Sequence, residues 1–560
     1  MKCVRPRPIG PLLLAPALLL AGATVSAETR DEMTARLSLA GKAVPTVSLG
    51  CANPAHEYRC AGVAVADEGG AIRRRPHAIV PAAGGTPGTS SFEGYLPSDL
   101  ASAYGLTAAS ANGGAGKTVA VIDAFTFPTA LSDVNEYRKE AGFPAYNSAG
   151  GPTFAEYPAT GTTLPGEDPE DSSPQGGWGD ETMLDLEMVS AACPACNVII
   201  IEPSGSGDNE GFNAAPGVAA SKGAVAISNS YGSDEDPSIV DDPTFNLGVL
   251  VTASAGDSGY GASYPATSPY VVAVGGTNLV PDTSGGARGW NEYLWAYSPP
   301  SKANGEQASG TGSGCSQYVP TPAFQAGLLP SGITSLCSKR MEVDLAADAD
   351  PYTGVQVILT ISGQLEQGVV GGTSASSPFV AAMMVRFGLE KEGNSFVYGS
   401  VSNGAATMFN DITTATPDTG ADEAANTNAP NAQQCGLMCM AATGYDGPTG
   451  WGSPNGAAWS LGGIDAGNGG IDAGTPSGST VDAGGAVLED AGPALATSDG
   501  GAFPASGSST AGCGCAIVGA GDASRTNAGL LVLALGLVGV TARRASRSRE
   551  AGKVVRTDVV

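Results

Sequence analysis

Gly371-Gly372-Thr373-Ser374-Ala375-Ser376-Ser377-Pro378 runs straight into the apolar segment Phe379–Phe387. The pattern predicts a glycine turn opening a helix, with Pro378 in the first turn, where a missing N–H costs nothing. A serine held there presents its hydroxyl at the positive end of the helix dipole, which favours negative charge on that oxygen. By itself a helix-entry serine is commonly only a cap, so Ser374 takes its meaning from what the rest of the chain brings to it. Outward from this stretch, Val357–Ile361 reads as a strand ahead of the turn. Further apolar runs occur at Thr118–Ile122, Val198–Ile201, Ala224–Ser228, Val249–Ala253 and Val271–Val274. Helical stretches such as Leu131–Ala141 separate several of them. Apolar strands alternating with helices predict an α/β domain, a mostly parallel sheet with helices on both faces.

A nucleophilic serine needs a base. The chain has two histidines, His56 and His77, both ahead of the α/β region. Carboxylates can take the role if burial and neighbouring acids tune their pKa towards the working pH. In the segment Gly179–Met188, Asp180 is a candidate helix N-cap, and Glu181 and Asp185 sit four residues apart on one helix face. Like charges so close resist simultaneous ionisation and share a proton. Glu187 falls on another face and reads as surface. A third segment, Ala253–Gly259, places Asp257 in a turn after a strand, where a carboxyl can donate a hydrogen bond only while protonated. A solvated Asp-Ser-Gly turn is the plain alternative.

Together these three segments resemble the sedolisin, or serine-carboxyl peptidase, family, and the stretch around Ser374 is similar to the nucleophile motif of subtilisins and sedolisins alike. The resemblance extends from about Leu96 to Gly456 and takes in Ser228–Gly232, Gly275-Gly276-Thr277 and the passage from Arg340 to Pro351. It implies a subtilisin-like fold and an acid-acting endopeptidase that works through an acyl-enzyme. Ser374 would be the nucleophile, Glu181 the base, Asp185 its orienting partner and Asp257 the oxyanion acid, where subtilisins use an asparagine. Ser228–Gly232 would line the substrate cleft. The family also implies one bound Ca2+, held by the side chains of Asp411 and Asp446 and the carbonyls of Ile412, Ala442 and Gly444. Such an all-oxygen shell suits a hard cation. A glycine is more usual where Ala442 stands. Two other readings remain: a catalytically silent surface-binding module, and a subtilisin-like enzyme using Asp123, which would need His56 or His77.

The chain ends and the composition set the compartment. Residues 1–27 read as a secretory signal peptide, with Lys2, Arg5 and Arg7, an apolar run through Leu12–Leu20 and a small-residue site at Val25-Ser26-Ala27. Residues 28–92 are a leader or short propeptide, too short for the large folded prosegment that sedolisins commonly carry. The peptidase domain is expected over 93–460, then a disordered Gly/Ala/Asp-rich linker over 461–512. Residues 513–549 hold Cys513-Gly514-Cys515, the apolar helix Ala528–Ala542 and an arginine cluster, which resembles a MYXO-CTERM-type sorting tail. Without Cys3 the cysteines fall into close pairs, 51/60, 193/196, 315/337, 435/439 and 513/515, which favours disulfides in an exported chain, although Cys193–Cys196 also fits a redox motif. With 54 acidic and 27 basic residues the net charge is −27, which disfavours nucleic acid and anionic lipid as partners. Protein or peptide substrates are the expected partners, membrane contact is confined to the tail, and a monomer is expected.

Overall fold

The computed structural model describes residues 45–52, 57–77, 94–207, 210–282, 284–296, 309–402, 407–415 and 435–461. The expected signal peptide, much of the leader including His56, the linker beyond Leu461, and the sorting tail with Cys513 and Cys515 lie outside the described residues. Among the described residues no helix is long and apolar enough to cross a membrane.

Four short strands come first: β1 (Thr46–Ser48), β2 (Arg59–Cys60), β3 (Val63–Val65) and β4 (Arg75–Pro76). The central sheet is built from β5 (Thr118–Ile122), β6 (Phe154–Pro158), β7 (Asn197–Glu202) and β8 (Ala224–Asn229). After β9 (Tyr231–Asp234), which pairs elsewhere, it continues with β10 (Leu250–Ser254), β11 (Val272–Pro281), β12 (Trp290–Leu294) and β13 (Leu345–Asp348). Its order is β12-β11-β10-β8-β5-β7-β6, with β13 beside β11. Every pairing is parallel except β11 with β12. Parallel strands covered on both sides need apolar residues at consecutive positions. Val119 to Ile122 and Val198 to Ile201 meet that demand and are buried throughout. Each buried valine or isoleucine in them contributes about 2 kcal/mol.

The chain enters this sheet at β5, crosses to the edge strand β6, comes back to β7 between β6 and β5, then passes to β8 on the other side of β5. At that switch point the crevice beyond the carboxyl ends of the strands is the natural place for a site. Asp123 follows β5, Ser230 follows β8 and Asp257 comes shortly after β10.

Three helices support that crevice and the sheets around it: α1 (Ala130–Glu140), α2 (Trp178–Ala192) and α3 (Thr373–Arg386). Helix α2 is buried along its whole length and packs against α3. It starts three residues earlier than expected from Asp180 as its cap, with Gly177 in that position. Loop carboxylates cap it instead: Trp178 N–H donates to Asp168 Oδ2 at 2.9 Å and Gly179 N–H to Asp171 Oδ1 at 2.7 Å. Asp180 lies in the first turn and is ion-paired with Arg74. Glu187, expected at the surface, is fully buried and accepts from Ile358 N–H at 3.0 Å. That bond ties α2 to β14 (Val355–Ile361), the neighbour of β15 (Gln364–Gly371) in a second, antiparallel sheet.

Residues ahead of the α/β region join this second sheet. β3 and β4 both pair with β15, and β1 pairs with β3. The strand that ends at the Gly371-Gly372 turn is thus bound to the leader. Disulfides link Cys51–Cys60, Cys193–Cys196, Cys315–Cys337 and Cys435–Cys439.

Candidate active site

Ser374 is the second residue of α3 and is buried, and its hydroxyl donates to the carbonyl of Ser230 at 3.2 Å. Packing of α2 on α3 brings Glu181 and Asp185 to the same place. The Ser374 hydroxyl lies close enough to the Glu181 carboxyl to favour its ionisation, yet both Glu181 oxygens lack a hydrogen-bond partner among the described residues. Burial, then the charge of Asp123, push Glu181 well above the usual carboxylate range. Asp185 Oδ2 accepts from the Ser230 hydroxyl at 2.8 Å and its Oδ1 has no partner. Burial, then Asp123 and Glu181, raise its pKa strongly as well.

Asp123 is the member of this group that the sequence by itself places only in a subtilisin-like alternative. It is fully buried, neither of its oxygens has a partner, and burial with the charge of Glu202 pushes it up to about 8. The available signal was positional: a carboxylate just past an apolar strand, at the switch point of the sheet. None of Asp123, Glu181 and Asp185 has an ion pair among the described residues. Burying ionised carboxylates without a cation is expensive, so the trio holds protons that ordinary surface acids would have lost.

Asp257 stands against Thr373, the residue before Ser374. Its Oδ1 accepts from the backbone N–H and the hydroxyl of Thr373, both at 2.8 Å. Its buried Oδ2 has no partner, and burial pushes the group up to about 7 despite those two donors. Oδ2 is therefore the oxygen able to carry a proton and donate it.

Residues from the leader run through this site. β2 pairs antiparallel with β9, Arg59 opposite Gly232 and Cys60 opposite Tyr231. Ala61 N–H donates to Ser230 O at 3.1 Å, and Ser374 N–H donates to Ala61 O at 2.9 Å. Glu181 lies with the two sulfurs of the Cys51–Cys60 disulfide within 4.8 Å of one another. Beside them opens a cavity of about 1070 Å³, bordered by Ala61, Gly62, Asp257, Ser258, Ser309 and Gly312 among others.

His77 is engaged elsewhere: its Nε2 lies 2.7 Å from Glu140 Oε1 and its Nδ1 2.7 Å from the Gln367 amide. Far along the chain, Asp411 accepts from Gly444 N–H at 3.0 and 3.2 Å. Asp446 accepts from Ala442 N–H at 2.8 Å and from the Thr449 N–H and hydroxyl at 2.9 and 2.8 Å. Burial raises Asp446 strongly, and the charge of Asp411 adds to it.

Residues 171–427 match the Subtilase family. Kumamolisin of Bacillus sp. (strain MN-32) is 36% identical over 223 residues, 38% of this chain and 35% of that protein. Sedolisin of Pseudomonas sp. (strain 101) is 28% identical over 393 residues, 66% of this chain and 61% of that protein. The chain thus spans between about a third and three-fifths of the length of these relatives. A solved structure of Pseudomonas sedolisin, a serine-carboxyl proteinase complexed with two molecules of pseudo-iodotyrostatin, superposes with a TM-score of 0.51 at 23% identity, over 67% of this chain and 98% of that one. At that identity it speaks for the fold, a subtilisin-like α/β arrangement with a mostly parallel sheet. By these similarities the chain carries a subtilisin-like domain that resembles serine-type peptidases of the sedolisin-like kind.

Proposed function

We propose that this domain is an acid-acting serine-carboxyl endopeptidase, exported from the cell, that hydrolyses protein or peptide substrates through an acyl-enzyme on Ser374. The observation that carries the reading is the buried Glu181 carboxyl, free of other partners and next to the Ser374 hydroxyl. Glu181 would take the hydroxyl proton as Ser374 Oγ bonds to the substrate carbonyl, and return it to the leaving amine. Asp185 and Asp123 would share the remaining protons, so that Glu181 can gain one without leaving an isolated charge in the core. The oxyanion would be met by Ser374 N–H and a protonated Asp257. The last requirement ties the reaction to acid, because a carboxylate at Asp257 would repel the charge it has to stabilise.

Ca2+ belongs to this proposal. The set Asp411, Ile412, Ala442, Gly444 and Asp446 offers only oxygen donors, and Asp446 is a buried carboxyl with Asp411 beside it and no ion pair among the described residues. The ion would offset that repulsion and fasten two loops together; it has no part in the proton transfers. Four disulfides among the described residues fit an oxidising compartment. Secretion through residues 1–27 and display through the tail complete the proposal.

Replacing the nucleophile tests it. Ser374→Ala should lower hydrolysis of peptide substrates in acid by at least about 10³-fold, and a variant as active as the parent protein would overturn the acyl-enzyme reading.

A further inference from the structure

A fourth acid stands behind the group around Ser374. Strands β5 and β7 run parallel with Ile122 opposite Ile201, and Asp123 N–H donates to Ile201 O at 3.3 Å. The next pair along these two strands is Asp123 and Glu202. Residues opposite each other on neighbouring strands send their side chains to the same face, so the two carboxyls are neighbours. Glu202 is 2% exposed, and it has no ion pair among the described residues. Its Oε2 accepts from the Thr126 hydroxyl at 2.7 Å, while its Oε1 and both oxygens of Asp123 are buried without a partner. An apolar residue at the end of β7 would avoid the cost of burying this polar group.

The groups around the pair are acidic or neutral. Glu181 and Asp185 face Asp123 from α2, as does Tyr231 at the start of β9. Glu156 on β6 and the Thr126 hydroxyl face Glu202.

We infer that Glu202 is a positioning residue for the reaction: it keeps a proton on Asp123 and so leaves Glu181 free to take the proton of Ser374. This rests on the peptidase reading of the same site. Glu181, Asp185 and Asp123 work with two protons among them, Glu181 being the charged member. A charge on Asp123 would favour the proton on Glu181, which could then no longer accept from Ser374. A charge on Glu202 opposes the ionisation of Asp123 in the same way. Burial, then that charge, push Asp123 up to about 8, and Glu202, at about 7, has ionised by then. Glu202 acts only through Asp123.

In the parent protein the effect is hidden, because Asp257 ionises first, at about 7. Asp257→Asn lifts that limit, so the decline of kcat/KM at high pH then reports Asp123. It should fall at about pH 8. Adding Glu202→Gln keeps the shape of the side chain and removes its charge. The decline should move about one pH unit lower, with a rate about fivefold lower at about pH 8 and within about threefold at about pH 5, where Glu202 is neutral. A decline at the same pH with and without Glu202→Gln would overturn the inference. So would an equal loss at both pH values, the mark of a purely structural role.

A second measurement needs no activity. In the full chain carrying Ser374→Ala, stability to denaturant is compared between about pH 6 and about pH 9 for Asp123→Asn, Glu202→Gln and the two together. Each single change should lessen the fall in stability towards high pH, and the double change should lessen it by less than the sum of the two. Additive effects would show the two carboxyls to be independent and would overturn the inference whatever the rates. No hydrolysis by the parent or the Asp257→Asn protein at any pH would overturn the peptidase reading and the catalytic role of Glu202 with it, while non-additive stabilities would leave the pairing of Asp123 and Glu202 standing.

Discussion

In the proposed reaction, Asp257 alone would set the working range of the site. Its Oδ1 is committed to Thr373 and its Oδ2 is buried and free, so only the protonated form, populated below about pH 7, can donate a hydrogen bond. An asparagine would keep the Thr373 bonds and donate at every pH. Asp257→Asn should therefore hold activity in acid within about tenfold and extend it towards neutral pH, whereas Asp257→Ala should lose about 10²- to 10³-fold throughout. A pH–rate profile of Asp257→Asn that falls as steeply above pH 6 as that of the parent protein would contradict this role. Asp257 could be singled out from its turn after a strand, but its charge state could not, because burial by Thr373 and the Gly371-Gly372 turn comes from residues more than a hundred positions away.

At the scale of elements, α2 does two jobs. Its acids face α3 at one place, while Glu187 reaches β14 at another. The four-residue spacing of Glu181 and Asp185 was legible, because helix geometry alone puts both on one side. The burial of Glu187 was not, since helical periodicity says which residues share a face and not how many faces are covered. The strands were legible for the same local reason: runs such as Val198–Ile201 are apolar at every position. Pairing of the leader with β9 and β15 left no local trace, as backbone hydrogen bonds do not depend on side-chain identity. The paired cysteines did leave one, and four of the five close pairs are disulfides among the described residues. For the two loops around Asp411 and Asp446, the expected result of adding a calcium chelator is a fall in Tm of about 5 °C. A thermal scan unchanged by the chelator, and unchanged on adding calcium back, would contradict calcium binding there.

For the whole molecule, the acids make a statement about stability. Asp123 is pushed up to about 8, and Asp171, Glu202 and Asp257 to about 7, chiefly by burial. Each holds a proton in the folded state that the unfolded chain gives up near pH 4. Between those values the folded state binds more protons than the unfolded one, so stability is greatest below about pH 4 and is lost as the pH rises through about 7 to 8. The net charge of −27 at neutral pH adds self-repulsion in the same direction. Denaturant unfolding at pH 4 and pH 8 should show the lower stability at pH 8, and a protein more stable at pH 8 would contradict the burial of these groups in protonated form.

The central claim is that a carboxyl, not an imidazole, takes the proton of Ser374. Its most direct test is the pH dependence of kcat/KM for the parent protein and for Glu181→Gln. The parent profile should peak in acid and decline as Asp257 ionises, and the Glu181→Gln protein should be reduced by about 10²- to 10⁴-fold across the range. A parent enzyme most active near neutral pH, with a Glu181→Gln variant that matches it, would contradict the account.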